Sequence, residues 1–447
     1  MKETFNEFCG IIKENYKISP ELYGKYNAKR GLRNEDGTGV LVGLTNIGNV
    51  HGYIFDEGDK VPDEGCLSYR GVDVSELIAN CQKEGRFGYE EAAYLLLFGK
   101  LPTAEKLENF KNLIGNNREL PAGFTEDMIL KAPSSDIMNK LARSVLVSYS
   151  YDDDPDNTEI SNMLRQSIEL IARFPTMVAY AQQAKLHYYD KKSLVIHSPQ
   201  PHLSTAENFL YMLRQNNEYT PLEATVLDTA LILHAEHGGG NNSAFTTHVV
   251  SSSGTDTYSA IAAAVGSLKG PKHGGANNRV MSMMEEIEEN VKDWSNDEEV
   301  RRYLIKILNK EAYDRSGLIY GMGHAIYTKS DPRATILKAQ ARELAMEKGF
   351  MDEFMLYDAI ERLSPGAFEE IKGAKKVMCA NVDMYSGFVY KMLGIPKELY
   401  TPIFAISRVV GWCAHRIEEV TVGGKIIRPA YKSVTKRTDY VKIEDRI

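Results

Sequence analysis

The chain has 447 residues, with 53 Lys+Arg against 61 Asp+Glu and a formal net charge of −8. Hydrophobic residues at 43% and charged residues at 26% suit a globular protein of roughly two to four structural units, and exclude a collagen-like or wholly disordered chain. The acidic balance argues against a protein that coats nucleic acid, although a few arginines in a cleft can still hold a small anion.

Met1 to Pro20 mixes lysines and glutamates with short apolar pairs and has no uninterrupted apolar core, so it does not read as a secretory signal. No run approaches the roughly 18 apolar residues of a membrane helix. Val40 to Thr45 is a short extended candidate. Ser75 to Cys81 and Tyr89 to Phe98 carry apolar residues at helical spacings of three and four, and Gly99-Lys100-Leu101-Pro102 stops the second helix. The acidic run Tyr151 to Asp156 reads as a solvated loop. A calcium site is the alternative there, but the glycine and spaced glutamate of the helix–loop–helix calcium motif are missing.

Further helices are expected over Ala206 to Leu213, Leu222 to His234 and Tyr258 to Leu268, the last stopped by Gly270-Pro271. Beyond His273 the pattern returns with Val280, Met284, Ile287, Val291 and Trp294, the methionines serving as core filler. Strand–helix alternation is missing, as are repeats and low-complexity linkers, so the fold is expected to be mainly α. Five scattered cysteines (Cys9, Cys66, Cys81, Cys379, Cys413) form no Cys-x-x-Cys pair, which favours a reducing cytoplasm.

Three glycine-flanked histidine segments stand out. In His234-Ala235-Glu236-His237-Gly238-Gly239-Gly240-Asn241-Asn242-Ser243 an apolar helix runs into three glycines, which let a backbone approach a ligand closely. Gly270-Pro271-Lys272-His273-Gly274-Gly275-Ala276-Asn277 places a histidine near a helix start, where the dipole favours neutral imidazole able to donate to an oxyanion. The third is Gly321-Met322-Gly323-His324, followed by Asp331-Pro332-Arg333. Each histidine can equally be a cap or a buried hydrogen-bonder, and the glycines plain turns.

Ala380-Asn381-Val382-Asp383-Met384-Tyr385-Ser386-Gly387 offers a carboxylate, with Asp383 as base or as simple helix cap. Lys372, Lys375 and Lys376 are a solvated face or a contact for a phosphorylated ligand, and Arg408 and Arg428 are candidate carboxylate clamps.

Several other chemistries fail on spacing. Gly321-Met322-Gly323 lacks the third glycine of a dinucleotide fingerprint, and Lys269-Gly270-Pro271-Lys272 is no phosphate-binding P-loop. His234 and His237 could share a helix face as metal ligands, but the His-Glu-x-x-His order is absent. The remaining reading is acid–base and carbonyl chemistry without a metal. A helical metal-dependent hydrolase using His234, His237 and Asp383 is kept as a distant alternative.

The order of these motifs resembles the citrate synthase family, together with Ser407-Arg408-Val409-Val410-Gly411, a late Arg428-Pro429, Leu67 to Asp73 and Tyr94 to Thr103. The resemblance runs from about residue 65 to near 435. It implies an all-α, two-domain homodimer: residues 1–276 and 386–447 form a large domain, and 277–385 an inserted small domain that closes over the substrates. It implies that Asp383 takes a proton from acetyl-CoA, that His273 hydrogen-bonds the thioester oxygen, and that His324 polarises the oxaloacetate carbonyl. His237, Asn241, Arg333 and Arg408 match oxaloacetate-binding positions, and Arg428 matches an arginine reaching in from the partner subunit. Gly321, Gly323 and Asn381 fall where the family contacts the thioester end of coenzyme A. Citryl-CoA hydrolysis then releases citrate and CoA. No metal or prosthetic group is implied, coenzyme A thioester being a substrate, and the expected site of action is the cytoplasm. The same residues serve a 2-methylcitrate synthase using propionyl-CoA. Tyr320 stands where the family usually has proline, so the loop at Gly321 is expected to differ in shape.

Overall fold

The computed structural model describes residues 2–57, 59–373 and 377–446, which leaves Lys375 and Lys376 outside the described residues. It is 58% helix and 6% strand, and so mainly α. Two compact units are present, Met1–Leu44 and Thr45–Ile447. The first contains α1 (Lys2–Asn15), α2 (Glu21–Lys25), a tight turn at Arg30–Leu32 and a β-bridge between Arg33 and Gly39. Val40 to Thr45 forms no regular strand. Gly39 and Gly43 weaken extended structure there, and pairing begins only at Gly48, where a second strand folds back on the first.

The second unit opens with an antiparallel sheet of β1 (Gly48–Asp56), β2 (Asp59–Tyr69) and β3 (Val72–Asp73), in that order. Gly48 pairs with Tyr69 and Asp56 with Asp59, with a register shift between His51 and Tyr53. Then follow α3 (Val74–Lys83), α4 (Tyr89–Phe98), α5 (Ala104–Asn116), α6 (Ile137–Ser148), α7 (Ile160–Tyr188), α8 (Thr205–Leu213) and α9 (Pro221–His234). Next come α10 (Asn242–Ser251), α11 (Thr257–Lys269), α12 (Ala276–Asn290), α13 (Asp297–Leu308) and α14 (Pro332–Lys348). The series ends with α15 (Met351–Lys372), α16 (Val382–Met392) and α17 (Tyr400–Val422). No helix among the described residues is long and apolar enough to cross a membrane.

α9 starts cleanly because Thr220 and Glu223 form a reciprocal capping box with Pro221 at the first helical position. α17 packs against α4, α7, α9, α10 and α11 and is buried from Ala405 through Arg416. A helix apolar all round belongs inside a core, so the two arginines it carries there need explanation. Arg416 has one: it donates to Thr257 Oγ1 at 3.0 Å, Ser251 Oγ at 3.2 Å and the Thr255 carbonyl at 2.6 Å.

Two local expectations change. The apolar series after His273 outruns its helix: α12 ends at Asn290, and Trp294 closes the following turn by donating to the Val291 carbonyl at 3.1 Å. The acidic run is a loop, but Asp152 is not solvated. Its side chain is 2% exposed and accepts from Arg165 at 2.6 Å, Tyr258 at 2.7 Å and Gln166 at 2.9 Å. Protein donors saturate that carboxylate, which leaves little reason for a cation there.

Candidate active site

The His234-to-Ser243 segment leaves the helix at His234, so His237 lies beyond α9 and the two histidines do not share a helix face. His237 is buried with Nε2 unpartnered, and burial with the Arg333 charge holds its pKa well below the usual range. Its ring meets His324 edge-on at 5.3 Å and Tyr327 at 5.6 Å, while His324 stacks on Tyr327 at 4.7 Å.

His324 follows Gly321 and Gly323, whose φ angles of +86° and +84° lie in the left-handed region that favours glycine. The turn lets Nδ1 of His324 accept from two backbone amides, Ile326 and Tyr327, each at 3.1 Å. Burial, followed by Arg333, lowers its pKa to about 4. The neutral ring must then carry its proton on Nε2, which makes Nε2–H a fixed donor.

Arg333 is buried at the start of α14. Asp331 caps that helix and grips Arg333: Oδ1 accepts from its backbone N and Nε, both at 3.0 Å, and Oδ2 from its terminal NH2 at 2.8 Å. The same Oδ2 accepts from Val382 N at 3.2 Å, so one carboxylate fixes Arg333 and the first residue of α16 together. Asp331 and Tyr327 are positioning residues that sequence reasoning left without a role. The Asp-Pro-Arg order, an N-cap followed by proline, was the available signal for Asp331.

Asp383 sits in the first turn of α16 but does not cap it. Asn381 is the cap and accepts from Asp383 N at 3.0 Å, so the Asp383 carboxyl is free of that duty. Burial raises that carboxyl to about 6 against the opposing pull of Arg333. Asn381 also donates to the Gly323 carbonyl at 2.8 Å, and its own N–H to that of Gly321 at 2.8 Å, lacing the two loops together. A Cβ on Gly321 would lie 2.8 Å from Met384 Sδ. Tyr320, where proline was expected, accepts from Arg279 at 2.7 Å and donates to Asp314 at 2.7 Å, which anchors the loop from outside.

His273 lies two residues before the α12 cap, Gly275. Its Nε2 is 3.1 Å from Ser243 Oγ, which also receives the Trp412 indole N–H at 3.0 Å and lies 2.9 Å from Asn241 Oδ1. Burial, followed by Arg408, lowers His273 to about 4. Ser243 Oγ has one proton and donates it to Asn241 Oδ1, so here His273 Nε2–H donates to Oγ; rotating the hydroxyl toward Nε2 moves the ring proton to Nδ1, the nitrogen left without a protein partner.

Arg408 is fully buried on α17. Its Nε donates to the His234 carbonyl and its guanidinium lies 4.6 Å from the Phe404 ring centre, but both terminal nitrogens are buried without partners. Burial pushes its pKa down to about 10, so it stays charged at neutral pH. An orphaned guanidinium beside the orphaned imidazole of His237 is a receptor for an anion.

The cleft therefore brings together His237, His324, Arg333, Arg408 and Asp383, with His273 and Asn241 joined through Ser243. Arg428 lies elsewhere, exposed on the irregular segment after α17. Lys372 is exposed at the end of α15. His234, His237 and Asp383 do not converge as metal ligands; the one such cluster among the described residues lies on α10 and α17.

The family described as citrate synthase, C-terminal domain, matches residues 36–430. A citrate synthase of Deinococcus radiodurans is 36% identical over 414 residues, covering 90% of this chain and all of that one. A 2-methylcitrate synthase of Corynebacterium glutamicum is 32% identical over 417 residues, covering 91% and 97%. The citrate synthase of Thermoplasma acidophilum, solved as a ternary complex with carboxymethyl coenzyme A and oxaloacetate, superposes with a TM-score of 0.74 at 27% identity, covering 94% of this chain and 99% of that one.

Proposed function

The chain belongs to the citrate synthase family of condensing acyltransferases, and we propose that its cleft joins acetyl-CoA to oxaloacetate in the following way. Arg408, Arg333, His237 and Asn241 hold the oxaloacetate carboxylates, guanidinium groups pairing with them bidentately. His324 Nε2–H polarises the ketone. The Asp383 carboxylate removes a proton from the thioester methyl group while His273 donates to the thioester oxygen, because a carboxylate alone is too weak a base for that proton. The enol(ate) carbon attacks the ketone carbon, the ketone oxygen becomes the tertiary hydroxyl, and water then hydrolyses citryl-CoA to citrate and CoA. Gly321, Gly323 and Asn381 receive the thioester end of the cofactor-like substrate, coenzyme A. No metal or prosthetic group takes part.

The observation that carries this reading is the buried, unpartnered head of Arg408 beside the unpartnered Nε2 of His237. Two carboxylates explain both orphans. Residues 277–385, in which α13 packs on α15, form the small domain whose closure excludes water until condensation is complete. The active assembly is a homodimer in which Arg428 enters the partner's cleft, consistent with its exposure on the segment beyond α17. All five cysteines are free, which suits the cytoplasm.

Release of free thiol from acetyl-CoA in the presence of oxaloacetate is the test; no release from acetyl-CoA or propionyl-CoA refutes the reading. A preference for propionyl-CoA is the second reading, since relatives of both names match over most of their length. One methylene is worth only about 1–3 kcal/mol, so the two thioesters must be compared by kcat/KM.

A further inference from the structure

Beside Gly239, in the loop that follows His237, two histidines face each other. His248 of α10 and His415 of α17 approach to 3.1 Å between Nε2 and Nδ1. Their outer nitrogens are both committed to carboxylates: His248 Nδ1 to Glu419 Oε2 at 2.7 Å, and His415 Nε2 to Glu236 Oε1 at 3.0 Å. A ring nitrogen bonded to a carboxylate carries the proton, so the two inner nitrogens present lone pairs to one another. Two lone pairs at that distance repel unless a cation lies between them. Glu418, one residue before Glu419, places a carboxylate oxygen within 4.8 Å of a ring nitrogen of each histidine. It already accepts from Thr45 at 2.6 Å and from Asn46 N at 2.8 Å, which fixes its position and still leaves oxygen lone pairs unused.

The geometry points to a binding site for one divalent d-block cation, with zinc as the reference ion, held by His248 Nε2, His415 Nδ1 and the Glu418 carboxylate. Imidazole–zinc bonds of about 2.0–2.1 Å in a tetrahedral site put two ligand nitrogens about 3.3 Å apart, a small opening from the distance found. Glu236 and Glu419 act as the outer carboxylates that fix ring tautomers in histidine–metal sites. Water completes the coordination. The site lies apart from the condensation chemistry but touches it structurally. A Cβ placed on Gly239 would lie 3.4 Å from both His248 Nε2 and His415 Cε1, and Glu236 directly precedes His237. Occupancy therefore braces the loop that carries His237 and Asn241, and it should lower KM for oxaloacetate without creating turnover.

Equilibrium dialysis of the full-length chain against zinc, followed by metal analysis and a thermal melt, tests this. The expected result is one zinc per chain and a raised melting midpoint that falls again with chelator, while thiol release persists in the metal-free enzyme. His248→Ala should abolish retention, and Glu419→Gln, which removes only an outer partner, should weaken it about 10- to 100-fold. Glu419→Gln carries the test if His248→Ala does not fold. Substoichiometric zinc, as for two rings that merely share a proton, overturns the proposal, and so does retention unchanged in both variants.

Discussion

Arg408→Met separates binding from stability at a single position. In the unliganded protein the guanidinium is fully buried with two unpartnered nitrogens, and each such group costs about 1–3 kcal/mol. Against this stand the Nε bond to the His234 carbonyl, worth about 1.5–3 kcal/mol as a charged hydrogen bond, and the contact with Phe404, worth about 0.5–2 kcal/mol. Methionine keeps much of the side-chain volume and its contact with the ring while removing the buried charge. Replacing buried ionic groups by well-packed apolar ones is often neutral or stabilising by about 1–4 kcal/mol.

The variant should therefore be at least as stable as the parent in urea without ligand, and should lose stabilisation by oxaloacetate. Losing a buried charged partner costs about 2–5 kcal/mol of binding, or about 30- to 4000-fold in Kd. Urea melts at several oxaloacetate concentrations read both quantities, since ligand binding to the native state raises the midpoint in proportion to the logarithm of occupancy. A variant that binds oxaloacetate as tightly as the parent refutes the role of Arg408. A variant markedly less stable without ligand refutes the argument from the orphaned nitrogens.

The Asp383 carboxyl is raised to about 6, and only its ionised form can take a proton, so kcat/KM for acetyl-CoA should climb about tenfold per pH unit below that point and level off above it. A flat profile between pH 5 and 7 rules out this base, as does residual turnover in Asp383→Asn. Ser243→Ala removes the group that fixes His273; kcat should fall while KM for oxaloacetate holds, and a selective rise in KM would place the serine in substrate binding instead. Gly321→Ala forces a side chain into a left-handed backbone and against Met384 Sδ, at a cost of about 1–3 kcal/mol, and should raise KM for the thioester more than for oxaloacetate. Arg428→Ala mixed with Asp383→Asn should recover activity through hybrid dimers in which one cleft has both residues; no recovery under exchange conditions refutes the shared site.

The helices were legible where local signals agreed. Tyr89 to Phe98 ended at a glycine with φ of +77°, and the capping box before Leu222 set a boundary that tertiary packing respected. Tyr151 to Asp156 is the largely exposed loop that its charge suggests, except at Asp152, whose side chain is buried by partners on α7 and α11 that no local signal reveals. The order of motifs singled out the histidines and Asp383 as candidates but not what positions them. Asp331 serves Arg333 two residues away and Val382 fifty-one away, and Ser243 reaches His273 and Trp412 from a different helix. Such links are side-chain geometry between elements, which periodicity along a chain does not encode.

The charge arithmetic acquires a sharper meaning in the cleft. A dianionic substrate could be held by imidazolium rings, yet burial keeps His273 and His324 neutral down to about pH 4. Arg333 and Arg408 supply the positive charge and do not titrate near neutrality, so substrate affinity is insulated from pH. The neutral rings then supply hydrogen-bond donation, which strengthens as negative charge gathers on an oxygen during reaction. His324 has its tautomer fixed by two backbone amides, whereas that of His273 depends on a serine hydroxyl able to rotate. In the proposed mechanism the electrophile's partner is thus rigid and the enol(ate)'s partner adjustable, and the only group left to titrate between pH 5 and 8 within this set is the proposed base, Asp383.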